Sequence, residues 1–227
     1  MKNTATAINE IRARIRAAET RFGRKPDSVR LLAVSKTKPA ELVLRAIECG
    51  QTEFAENYVQ EAVEKITRIG LPGLTWHFIG PVQSNKTKPI AASFDWVHSL
   101  DRLKIAERLN ATRPDHLPPL EVCLQVNISH EASKSGISAN ELDELAMACN
   151  ELPRLRLRGL MALPAPVADF DQQRQSFYEV KMLLVHLKRT LPGLDTLSMG
   201  TTRDMEAAIA EGATMVRIGT ALFGPRE

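Results

Sequence analysis

Short apolar runs alternate along the chain with stretches in which apolar residues recur every three or four positions. The runs predict eight strands, at Val29–Ser35, Thr52–Ala55, Thr75–Gly80, Trp96–Leu100, Glu121–Val126, Leu157–Ala162, Thr196–Met199 and Thr214–Ile218. Several are nearly continuous in aliphatic residues, as a parallel sheet covered on both faces requires. The longer period predicts helices between them. Leu42, Ala46 and Ile47 share one face, with Pro39 suited to the first turn and Gly50 to the C-terminal cap. Ala62, Val63, Ile66 and Ile69 form the next stripe, ending at Gly70. Asp101 is placed to cap a helix carrying Leu103, Ala106 and Leu109, and Ser138 with Glu141 fits a capping box before Leu142, Leu145 and Cys149. Phe177, Val180, Leu184 and Leu187 mark another helix, and Thr202 is placed to cap one containing Met205, Ala208 and Ile209. An additional helix with Ile8, Ile11, Ile15 and Phe22 precedes the first strand.

This alternation predicts an α/β fold, a (β/α)₈ TIM-type barrel with an extra N-terminal helix. An open doubly wound sheet is the alternative. No Gly/Ser/Pro-rich linker or repeat divides residues 1–227, so one domain is expected, and Pro164-Ala165-Pro166 reads as a loop. The length suits one barrel.

Charge narrows the partners. The 30 basic and 27 acidic residues leave a net +3, too even to imply a nucleic-acid or membrane-surface partner. Cys49, Cys123 and Cys149 are far apart and lack zinc-ligand spacing, so they read as reduced, buried thiols and no metal site is expected. The charged N-terminus does not resemble a signal peptide, and no apolar run approaches membrane-spanning length, so a cytoplasmic location is expected.

In such barrels the chemistry sits at the C-terminal ends of the strands. Lys36 directly follows the run Leu31-Leu32-Ala33-Val34. Partial desolvation there would lower its pKa and free a nucleophilic amine, although taken alone the position favours an ordinary solvated lysine, a role that Lys38 suits better. The Ser198–Thr202 turn opens onto a helix, and Gly219 and Thr220 follow the eighth strand. Adjacent turns after strands seven and eight suit a phosphate, or are a capping threonine and a turn glycine. Arg217 lies inside an apolar strand and needs either a carboxylate or a ligand acceptor.

The segments LLAVSKTKP (31–39), ENYVQE (56–61), WHFIGPVQSNK (76–86), SKSG (133–136), RGLMALP (158–164) and LSMGTTRDMEAAIAEGATMVRIGTALFG (197–224) together resemble the pyridoxal phosphate homeostasis protein family. The likeness runs through nearly the whole chain. It implies a barrel like the N-terminal domain of alanine racemase and a bound pyridoxal 5′-phosphate (PLP). Residue by residue, it implies that Lys36 forms a Schiff base with PLP, that Arg217 faces the pyridine nitrogen, and that Thr202, Gly219 and Thr220 take the phosphate. Asn57 and Ser198 match further cofactor contacts. Departures are Ala55 for glycine, Val82 for leucine and Thr201 for methionine, of which only the last touches the site. His77 and Lys86 lie in a family motif without an assigned chemistry, and Lys134 reads as a solvated loop lysine or an anion contact.

The resemblance implies storage, buffering or delivery of PLP, to PLP-accepting apoenzymes if any, rather than catalysis. An arginine at the ring nitrogen weakens the ring as an electron sink. Racemases take a second base, a tyrosine, from another domain through dimerisation. Here the chain ends at Glu227, just after the barrel, so neither that domain nor its dimer is expected and a monomer is. Tyr58 reads as packing and Tyr178 as part of an outer helix. The alternatives are a PLP-dependent racemase and a cofactor-free Schiff-base aldolase.

Overall fold

In the computed structural model, which describes residues 4–128 and 135–225, eight parallel strands close into a barrel in sequence order. They are β1 (Arg30–Val34), β2 (Glu53–Glu56), β3 (Thr75–Phe78), β4 (Trp96–Leu100), β5 (Leu120–Val126), β6 (Leu155–Ala162), β7 (Thr196–Ser198) and β8 (Met215–Ile218). Helix α1 (Thr4–Arg21) precedes them. Around the barrel follow α2 (Ala40–Glu48), α3 (Val59–Ile69), α4 (Thr87–Ser93), α5 (Leu103–Thr112), α6 (Leu142–Asn150), α7 (Phe170–Leu187), α8 (Met205–Ala210) and α9 (Thr220–Phe223). All eight predicted strands are present, and β8 pairs with β1 to close the ring. The TIM-type barrel therefore replaces the open-sheet alternative.

Alternate strand residues face opposite ways. Phe54, Phe78, Val97, Leu124 and Leu160 point outward into the layer between sheet and helices, where they meet Ile8, Ile90, Leu109, Phe177 and Val180. Leu32, Val34, Ala55, Trp96, Cys123, Met161 and Met215 form a second, inner cluster. At the N-terminal end of the barrel Trp96 lies beneath two cations, with the guanidinium carbons of Arg30 and Arg158 at 5.1 and 5.2 Å from the indole centre. Arg30 is paired with Glu53 at 3.4 Å, and Arg158 with Glu121 at 3.0 Å and with Asp195. These pairs surround the indole at the barrel floor.

Several helix ends follow the sequence pattern. Gly50 and Gly70 adopt left-handed φ of 74° and 56° after α2 and α3, and Ser138 donates its N–H and hydroxyl to Glu141 at 3.2 and 2.7 Å. Two predicted caps are corrected. Asp101 does not cap α5, whose N-cap is Arg102. Thr202 does not cap α8, which starts later with Asp204 as its N-cap, because the residues before it are drawn into a turn held by Asp204 itself. The cysteines also divide: Cys123 and Cys149 are buried, whereas Cys49 is half-buried.

Burial pushes the thiols of Cys123 and Cys149 up to about 12, which leaves almost no reactive thiolate at neutral pH. Native protein treated with iodoacetamide is therefore expected to gain an adduct at Cys49 alone, and denatured protein at all three cysteines, as read by intact mass and peptide mapping.

Candidate functional site

A cavity of about 770 Å³ opens at the C-terminal ends of the strands. Of the predicted site residues, Lys36, Asn57, Thr202, Arg217, Gly219 and Thr220 all line it. Ser198 does not. It is buried one step deeper, against Arg217. Gln125, Asn127, Met161, Thr201 and Arg203 complete much of the wall. Gly80 is required by close approach: a Cβ there would lie 2.2 Å from the Asn57 carbonyl oxygen, so only glycine lets the ends of β2 and β3 meet. Asn57 Oδ1 is buried and has no hydrogen-bond partner among the described residues.

Lys36 emerges from a turn that is clamped from the helix side. Ser35 is fully buried, and its hydroxyl donates to Glu56 Oε1 at 2.7 Å. The Lys65 ammonium on α3 donates to the Ser35 carbonyl at 2.8 Å, to Glu56 at 2.6 Å and to Glu61 at 2.9 Å. Glu61 also accepts from the Thr37 N–H at 2.7 Å. That last bond holds Thr37 at φ 62°, a region costly for a β-branched residue. Burial raises the Glu56 carboxyl, opposed by the Lys65 charge beside it. None of Glu56, Glu61 and Lys65 was singled out from sequence for this role. Lys38, two residues on from Lys36, donates to the Pro225 carbonyl instead of standing free in solvent.

Arg217 sits on the cavity floor. Among the described residues no carboxylate lies within ion-pairing distance of it. Its guanidinium donates to the Ser198 carbonyl at 2.5 Å, to Ser198 Oγ at 2.8 Å and to the Ala162 carbonyl at 2.9 Å. Burial draws its pKa down to about 10, still charged at neutral pH. The structural ion pair considered from sequence is thus absent among the described residues. Behind Ser198 lie two histidines. His98 Nδ1 is 2.7 Å from Ser198 Oγ, and His98 Nε2 is 2.9 Å from His77 Nδ1. Sequence reasoning missed His98 and left His77 without a role. The signal was available, since both occupy inward-facing positions of strands that it had delimited.

The turn after β7 takes Gly200 at φ 95°, where a Cβ would also fall 2.6 Å from the Ala208 Cβ. Thr201 donates its N–H and hydroxyl to Asp204 at 2.6 and 2.8 Å, leaving the Asp204 carboxylate engaged within the turn. Arg14 of α1 ties the Thr202 carbonyl and Glu206 to the N-terminal helix. Gly219 packs its backbone on β1, since a Cβ there would meet the Val34 carbonyl oxygen at 3.2 Å. Tyr58, expected to pack, is instead 51% exposed at the N-cap of α3. Lys134 lies outside the described residues.

The cavity therefore combines a primary amine, a buried cation, a buried amide oxygen and the hydroxyls of Thr202 and Thr220. Such a set suits an aldehyde that also bears an anionic group.

The sequence model described as alanine racemase, N-terminal domain, matches residues 7–227. A relative from Escherichia coli (strain K12), named pyridoxal phosphate homeostasis protein, is 56% identical over 230 residues, covering 100% of this chain and 98% of the relative. One of the same name from Pseudomonas aeruginosa is 57% identical over 227 residues, covering 100% and 97%. Among solved structures, PipY of Synechococcus elongatus with PLP bound superposes with a TM-score of 0.85 at 34% identity, covering 97% of this chain and 100% of that one. Alanine racemase of Clostridium difficile superposes with a TM-score of 0.79 at 14% identity over 97% of this chain and 56% of that one, a likeness of fold alone.

Two outcomes follow from the buried charges. Lys65→Met leaves Glu56 buried without its cation and is expected to cost about 3–5 kcal/mol in urea unfolding, with part recovered when Glu56→Gln is added. Burial holds His77 and His98 below the ordinary histidine range. The unfolded chain then binds protons below about pH 6.5 that the folded chain refuses, so stability is full above that pH and falls below it. Urea midpoints taken from about pH 8 down to about pH 5 are expected to show this fall, and His98→Gln to flatten it by up to about 1.4 kcal/mol per pH unit.

Proposed function

The chain belongs to the pyridoxal phosphate homeostasis proteins, within the alanine racemase N-terminal domain family, and we propose that it holds PLP in the cavity as a Schiff base on Lys36, for storage, buffering or delivery within the cytoplasm. The observation that carries this reading is the meeting of Lys36, Asn57, Thr202, Arg217, Gly219 and Thr220 around one cavity. Its volume of about 770 Å³ lies within the usual range for small-molecule sites. Asn57 Oδ1, buried and without a partner among the described residues, is suited to a ligand donor.

PLP supplies an aldehyde that condenses reversibly with amines, a phosphate and an aromatic ring nitrogen. On this reading Lys36 is the amine that anchors it. Thr202 and Thr220 offer hydroxyls to the phosphate, and Gly219 lets backbone approach it. Arg203 at the mouth adds a positive charge, and Arg217 presents a fixed cation to the ring. A barrel with no dedicated turnover fits the lining. Among its described residues there is no carboxylate, histidine, tyrosine or cysteine, so the described lining offers no second acid/base group beside Lys36. Release then proceeds by exchange, when another amine displaces Lys36 from the aldehyde. The recipients in this reading are amines, including the active-site lysines of PLP-accepting apoenzymes.

The test is the visible spectrum of the purified protein with and without added PLP, followed by borohydride reduction and peptide mass mapping. An absorption band removed by borohydride, with the pyridoxyl mass on the Lys36 peptide and both lost in Lys36→Ala, is the expected result. No band, or label confined to other lysines, overturns the reading. Prolonged incubation with amino acids and chiral product analysis is expected to show no sustained Lys36-dependent racemisation.

A further inference from the structure

Below the cavity a line of polar side chains runs through an otherwise apolar barrel interior. It begins at Arg217 on β8, passes Ser198 on β7 and His98 on β4, reaches His77 on β3 and ends at Glu53 on β2. The first three separations, 2.8, 2.7 and 2.9 Å, are hydrogen bonds; the last, His77 Nε2 to Glu53 at 3.3 Å, is an ion-pair contact that falls short of hydrogen-bond geometry. Ser198, His77 and His98 have no exposed surface, while the Glu53 side chain is 19% exposed at the floor. Trp96 packs against both imidazoles, its ring centre 5.6 Å from that of His77 and 5.7 Å from that of His98.

The two ends decide the direction of every hydrogen bond between them. A guanidinium only donates and an ionised carboxylate only accepts. Arg30 and the His77 ring both hold the Glu53 carboxyl below its usual value, against its burial. Each neutral imidazole has one donor and one acceptor nitrogen. Arg217 therefore donates to Ser198 Oγ, and the Ser198 hydroxyl donates to His98 Nδ1. His98 Nε2–H then donates to His77 Nδ1, leaving His77 Nε2–H facing Glu53. The reverse arrangement would set the His77 Nε2 lone pair against the carboxylate and leave the Ser198 hydroxyl hydrogen buried without a partner. A second proton on either ring would place a donor against a donor or leave the Ser198 hydroxyl without an acceptor.

We infer that Ser198, His98 and His77 form one unidirectional hydrogen-bonded chain, facing the Glu53 carboxylate at its far end, that positions the Arg217 guanidinium in the cavity and relays to it the negative charge held at the barrel floor. Along the chain each lone pair points toward Arg217 and each hydrogen toward Glu53. The polarisation thus favours both ends, and neighbouring bonds strengthen one another. This adds to the attraction of the Asp204 carboxylate in keeping Arg217 charged, where no carboxylate among the described residues is in ion-pairing contact with it. The other charges near the chain are Asp204 toward Arg217, Arg30 and Asp95 toward His77, and Arg30 toward His98. Ser198, His98, His77 and Glu53 are positioning residues, since Arg217 rather than any of them lines the cavity.

The effect on the ligand rests on the PLP-binding reading above, but the chain itself does not. The test is ¹⁵N NMR of histidine-labelled protein without cofactor, with resonances assigned by single substitutions, followed by PLP titration. His77 and His98 are expected as neutral Nε2–H tautomers near pH 7. His77→Leu removes the acceptor for His98, and is expected to turn His98 toward the Nδ1–H form and weaken PLP binding about tenfold. His77→Asn keeps an acceptor at the Nδ1 position, and is expected to retain the His98 tautomer and PLP binding within about twofold. Nδ1–H on His98 in the parent protein overturns the inference, as does His77→Leu with tautomer and affinity unchanged. Should His77→Leu fail to fold, the parent tautomers and His77→Asn still decide. A parent that shows the Nε2–H tautomers but takes up no PLP leaves the chain standing and sinks the binding reading alone.

Discussion

Closing a parallel sheet on itself leaves the inward side chains sealed from water, and any polar group among them must find its partner inside. That constraint shapes both ends of this barrel. At the floor Trp96 is covered by Arg30 and Arg158, and those cations are answered by Glu53, Glu121 and Asp195. At the cavity Arg217 is answered by the carbonyls of Ser198 and Ala162. Between the two, the serine and the histidines join one end to the other. A buried charge with incomplete partners costs several kcal/mol, so the polar line fixes the inward residues of five strands relative to one another.

The same economy appears outside the barrel wall. Lys65 lies 5% exposed on α3, and its three donors are divided among the Ser35 carbonyl, Glu56 and Glu61. The ion pair does little for net stability, because desolvation offsets most of its attraction. Its effect is geometric. It joins the end of β1, the end of β2 and the first turn of α3, and so fixes the backbone from which Lys36 projects.

The strands were legible because a parallel sheet covered on both faces demands continuous apolar runs, and β4 was delimited from Trp96 to Leu100 in both readings. The cavity residues were legible because barrel chemistry gathers at strand ends. Thr202 shows the limit: a threonine before an apolar stripe is a good capping signal, but Asp204 binds Thr201 and moves the helix start beyond it. The supporting residues were harder still. Lys65 meets Ser35 thirty positions away, and His98 meets Ser198 a hundred positions away. Those pairings exist only once β1 has registered on β2 and the ring has closed, and no local pattern encodes them. Period-two reading along β3 and β4 does, however, mark His77 and His98 as inward.

The two supports reach the cavity from opposite sides and share no residue. Lys36 is set by a cluster on the helix side of the wall, and Arg217 by a line through the interior. A ligand that bonds to the first and lies against the second meets groups already in place, which lowers the ordering cost of binding. It also separates capture from release. On the proposed reading, breaking a bond at Lys36 would leave Arg217 where it was, because its hydrogen bonds run to Ser198 and Ala162 and not to the Lys36 turn. On the proposed reading, a site built this way would accept and surrender its ligand by chemistry at one amine, while the groups that hold Arg217 stay as they are.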